Sequence, residues 1–60
     1  MEMSMFMTVS TEELAVDPEL ETLCQEELRY ALELGGAKNI RFVREENGSE
    51  TRIKAIGDKE

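Results

Sequence analysis

Few side chains in this sequence have the type and spacing that chemistry needs. Cys24 is its single thiol, and no histidine stands anywhere to activate it. One cysteine cannot form an intramolecular disulfide, and a Cys/His zinc site lacks its ligands. The carboxylate pairs Glu26-Glu27 and Glu45-Glu46 are adjacent in sequence, so their members point to different faces. Acid/base work would also require a desolvating cleft, which 60 residues have little room to build. No D-x-D-x-D-G loop offers itself to Ca²⁺ or Mg²⁺. Gly35-Gly36 follows a helical pattern, whereas a phosphate cradle precedes one, so the pair reads as a helix cap. The expectation is a non-enzymatic protein with no catalytic residue, metal or cofactor.

Charge is the stronger signal. Residues 1–37 carry nine carboxylates against one cation, Arg29, while residues 38–60 carry six cations against five carboxylates. The net charge of −7 therefore resolves into an acidic front and a near-neutral back studded with Arg and Lys. Glu19, Glu26, Glu27 and Glu33 belong to a negative strip at helical spacing, suited to a basic groove on another protein. Arg41, Arg52 and Lys54 form a smaller basic set, the alternative site, suited to phosphates. Arg44 and Lys38 are expected near that set. Stacking aromatics are not expected on its face, which disfavours nucleic acid as the ligand. A solvated helix face and a cation-covered sheet are the plain readings of the same residues.

These residues must be held by a small scaffold. A chain of this length makes one domain, 1–60, with 1–6 and 57–60 the segments prone to fraying. It buries only about 60% of the surface its unfolded form exposes. Without disulfide or zinc, oligomerisation is the remaining remedy, so a homodimer is expected. No apolar run approaches the ~20 residues of a membrane span. The acidic N-terminus has no basic n-region, and a lone cysteine fits a cytoplasmic protein.

Met3, Met5, Met7 and Val9 alternate with Ser4, Phe6 and Thr8, the period of a strand. Ser10 with Glu13 three residues on is a capping box for a short helical turn, interrupted at Val16–Asp17. Asp17-Pro18 then caps a helix running to Leu34, with Leu20, Leu23, Cys24, Leu28, Ala31 and Leu32 as its core stripe. Tyr30 and Leu34 pair toward the stripe's edge. Asn47-Gly48 between alternating runs predicts a two-residue hairpin loop. That loop sets Phe42 opposite Ile53, Ile40 opposite Ala55 and Val43 opposite Arg52. Ile40, Phe42, Ile53 and Ala55 then share one face, and Arg41, Val43, Arg52, Lys54 and Ile56 the other.

The fold class is thus a small α+β domain of order β-α-β-β. One helix packs on a three-stranded antiparallel sheet with a C-terminal hairpin, and the first strand joins the free edge of the last. The function expected of it is protein–protein interaction, as an adaptor or inhibitor with a regulatory role, through the acidic helix face or an edge strand. Nucleic-acid binding by the hairpin's outer face is the alternative. A structural subunit of a larger assembly is a third reading, since a marginal core gains stability when docked.

Overall fold

The computed structural model describes residues 1–60. Its elements run β1 (Glu2–Ser10), α1 (Thr11–Val16), α2 (Glu19–Leu34), β2 (Lys38–Asn47) and β3 (Glu50–Asp58). The sheet order is β1-β3-β2 with both pairings antiparallel, and α2 packs on one face. This is the small α+β fold that the sequence predicts.

Local chemistry sets the helix boundaries. Ser10 is the N-cap of α1, and its hydroxyl accepts from the Glu13 N–H at 3.4 Å. Asp17 breaks the helix, and its carboxylate accepts from the Glu19 N–H at 3.2 Å, one residue beyond Pro18 in helical geometry. That position suits proline, whose missing N–H needs no partner in a first turn. At the far end the Gly36 N–H donates to the Glu33 carbonyl and the Ala37 N–H to the Leu32 carbonyl, both at 3.0 Å. Gly36 sits at φ +88°, the left-handed position this Schellman cap requires.

The core is thin. Only nine of 60 residues are buried. Cys24, Leu28 and Leu32 of α2 meet Ala37, Ile53 and Ala55, with Met3, Met7, Val9, Ile40 and Phe42 packed around them. Leu14 of α1 is also buried, and the hydroxyls of Thr11 and fully buried Thr51 pair at 2.8 Å.

Several expectations are corrected. The hairpin loop is Gly48-Ser49, so Asn47 faces Glu50, Phe42 faces Ala55 and Val43 faces Lys54. Arg52 accordingly faces Glu45 rather than Val43. This is a slip of two residues. It keeps every side chain on its expected face, because the strand period is two. Gly48 alone has positive φ in the loop, at +67°, the requirement of a turn with glycine first. The adopted register also brings the Ser49 carbonyl to the Thr11 N–H at 2.9 Å, tying the hairpin tip to α1. Asn39, at φ +55°, occupies the irregularity between Lys38 and Arg41. Asparagine tolerates that region better than most residues.

Leu23 leaves the core stripe and points outward, 55% exposed. At the C-terminus β3 continues to Asp58, with Gly57 buried, where the sequence suggests a loose end. Met1 and Lys59 there exchange hydrogen bonds through the terminal amine and backbone.

Candidate functional site

The outer face of α2 carries the four glutamates singled out by their spacing. Glu19, Glu26, Glu27 and Glu33 are all exposed and none forms an ion pair. The acid of this helix that does pair is Glu21, whose Oε1 takes Arg44 Nη1 at 2.9 Å beside the core. Glu19, Glu26 and Glu33 recur every seven residues and so line up along the axis.

Beside that line runs a second apolar stripe. Leu23, Tyr30 and Leu34 are 55%, 67% and 72% exposed and, with Glu27, recur at alternating four- and three-residue steps. Steps of that kind trace a seam on a helix surface. The seam begins at partly buried Leu20, next to a depression lined by Ser10, Glu12, Glu13, Val16 and Asp17. Val16 is exposed there as well. So α2 is apolar on two sides, one covered by the sheet and one covered by nothing. The sequence spacing merged Leu23 with the core side and so hid the second seam.

The face of the sheet away from α2 holds the basic set. Its cross-strand rows are Ser4–Ile56–Arg41, Phe6–Lys54–Val43 and Thr8–Arg52–Glu45. Arg41, Lys54 and Arg52 therefore do cluster, as expected. Arg44 does not join them, because it projects toward α2 and bridges Glu21 and Glu46. Lys38 lies in the end row with Asp58 and Glu2. Arg41 is held by those acids, Nη2 at 3.3 Å from Glu2 and Nη1 at 3.6 Å from Asp58. The expected lack of an aromatic on this face is also corrected. Phe6 lies there, 57% exposed, with the Arg52 guanidinium 4.7 Å over its ring. Its place on the cationic face follows from the β1–β3 register, a long-range pairing.

Cys24 faces the core, 7% exposed. Burial, then the nearby charges of Glu27 and Glu21, push its thiol above its ordinary value of 9.0. A thiol held protonated is a poor nucleophile. Alkylation by iodoacetamide at neutral pH is expected to be at least ~100-fold slower than for a free thiol, and to reach the free rate in denaturant. Equal rates in both would mean that Cys24 is accessible in the fold. The raised value also has a stability consequence. The folded thiol keeps its proton where the unfolded one loses it, so stability is full below pH ~9 and declines as pH climbs beyond.

The molecule has no cluster of three or more Cys, Asp or Glu side chains disposed to hold a metal. No helix is long and apolar enough to cross a membrane. The chain matches no family model, no curated protein and no solved structure.

Proposed function

We propose that this is a small, acidic, non-enzymatic interaction protein that docks the outer face of α2 on a basic, partly apolar surface of another protein. The observation that carries this reading is the uncovered Leu23–Tyr30–Leu34 seam, with unpaired Glu27 within its row and unpaired Glu19, Glu26 and Glu33 lined up beside it. Apolar anchors supply affinity, and a rim of one sign selects the partner and speeds encounter. A helix or groove with an apolar stripe between lysines and arginines has the complementary chemistry. Acting as an adaptor or inhibitor follows from occupying such a surface.

A second reading draws on Phe6 and Arg52. An exposed ring among cations can stack a base while Lys54 and Arg52 hold phosphates. Arg41 is already neutralised by Glu2 and Asp58, which leaves Lys54 and Arg52 as the unpaired cations beside Phe6. The platform is therefore small, and the helix face is favoured.

The test compares capture from a lysate of the source organism by the wild-type chain and by the Glu19→Lys/Glu26→Lys/Glu33→Lys variant, with and without nuclease. Nuclease-resistant recovery of one protein is expected, with association to the purified partner about tenfold slower for the variant and the difference shrinking at high salt. Equal rates would remove the acidic rim from the mechanism. Recovery that disappears with nuclease would move the function to Phe6, Arg52 and Lys54.

A further inference from the structure

We propose that the free edge of β1 receives a second copy of this chain, β1 pairing antiparallel with its own counterpart about a two-fold axis at Phe6.

The two edges of the sheet are built differently. β2 carries Lys38, Arg41, Arg44, Glu45 and Glu46, and its ladder is interrupted between Lys38 and Arg41. Charges and irregularities of this kind deter strand addition. β1 has neither. From Met3 to Ser10 it holds no charge, no proline and no glycine, and its ladder to β3 is unbroken over nine residues. A long, regular, apolar edge with unpaired backbone groups is a template for another strand.

The sequence of β1 indicates whose strand. Read outward from Phe6, both directions give methionine (Met5, Met7), then a hydroxyl residue (Ser4, Thr8), then an apolar residue (Met3, Val9). A two-fold axis at Phe6 therefore sets Met5 against Met7, Ser4 against Thr8 and Met3 against Val9, with Phe6 beside its own copy. Like meets like, as an isologous interface demands. Alternation is preserved, so Phe6 stays on the open face and the methionines on the α2 side. Moving the axis to Met5 would set Ser4 against Phe6, push Val9 against Met1 beyond the strand and leave Ser10 without a partner.

Charge favours the same arrangement. Two chains of net −7 repel over most of their surface, and the glutamate-lined seam of α2 would oppose its own copy. Along β1 the single charge is Glu2, and the two-fold axis places it opposite uncharged Ser10. Pairing would also cover Met5, which is 44% exposed although it lies on the α2 side. The product is one six-stranded sheet, β2-β3-β1-β1-β3-β2, whose outer edges are the charged β2 strands. Both α2 helices lie on the same side of that sheet, and the pairing is read from β1 alone, not from the helix-face reading.

Sedimentation equilibrium of the full chain tests the pairing. Twice the 6.8 kDa chain mass is expected at high micromolar concentration. Phe6→Glu and Phe6→Lys each set like charges directly opposite, and each is expected to weaken the dimer by about tenfold or more. An equimolar mixture of the two is expected to recover it as a heterodimer. A wild-type chain that stays monomeric, or a dimer indifferent to both substitutions, overturns the proposal. Register is read separately by oxidation. Phe6→Cys is expected to link two chains by a disulfide, since directly opposed Cβ atoms lie within ~5.5 Å. Ser4→Cys, whose counterpart faces Thr8, is expected to remain unlinked. Equal linking of the two variants would also overturn it, and this readout holds even if the charged variants fold poorly.

Discussion

Leu32→Ala is expected to leave the chain largely unfolded at 37 °C. Leu32 is 0% exposed, and its side chain lies at the centre of the cluster joining α2 to β3 and Ala37. Deleting such a side chain costs about 2–5 kcal/mol, through lost transfer energy and the cavity left behind. A domain of this size has only about 3–5 kcal/mol in total. The core has little means of compensating, since its other fully buried large side chains are Ile53 and Thr51. The site has a second role, because the Leu32 carbonyl receives the Ala37 N–H in the cap that turns the chain into β2. A helix end allowed to shift would loosen that cap. Circular dichroism melts are the measurement, with Leu34→Ala as control. Leu34 lies two residues away in the same helix but is 72% exposed, so its change should stay within ~0.5 kcal/mol. A loss below about 1 kcal/mol for Leu32→Ala would mean that the cluster is not what holds the fold.

That cluster was largely legible in the sequence, and the reasons are local. Ser10, Asp17-Pro18 and Gly35-Gly36 act on backbone groups within a few residues of themselves, so the helix boundaries follow from composition alone. Face sorting in the hairpin is equally local, because it depends only on parity. Parity is also why the register is not legible in the sequence. A two-residue slip changes every partner and no face, so alternation cannot choose between an Asn47-Gly48 loop and a Gly48-Ser49 loop. The choice rests on contacts far away in sequence, such as Ser49 with Thr11 and Thr51 with Thr11.

The candidate sites divide along the same line. The glutamates of α2 and the cations of β2 and β3 fell where their spacing put them, apart from Arg44. What escaped was the apolar component of each surface. Leu23 lies at a step from Leu20 that a single broad stripe accommodates, and only packing against the sheet shows that the covered arc stops short of it. Phe6 is sorted away from the methionines by alternation, but its position beside Arg52 depends on β1 lying against β3. Charge patterns are legible because solvated charges need no partner to explain them. An exposed apolar side chain is recognised only after the core has been filled.

The uncovered seam therefore carries the second large effect. Replacing Leu23, Tyr30 and Leu34 together by glutamine is expected to weaken binding to the captured partner by about 100-fold or more, while the melting temperature moves by only a few degrees. The asymmetry follows from where the side chains lie. All three are more than half exposed, so folding gains little from them. Glutamine also matches leucine in helix propensity, which keeps α2 intact. In a complex the same side chains would be the desolvated centre, and truncating a few central anchors removes about 2 kcal/mol or more each, not additively. The loss should appear as faster dissociation, with salt dependence unchanged, because the glutamates that steer encounter remain. Reversing Glu19, Glu26 and Glu33 should do the opposite, slowing association and flattening the salt dependence. Two variants on one helix face that move different rate constants would identify anchor and rim separately. A glutamine variant that binds as well as the wild type would leave the glutamates as an ordinary solvated surface and the seam without a partner.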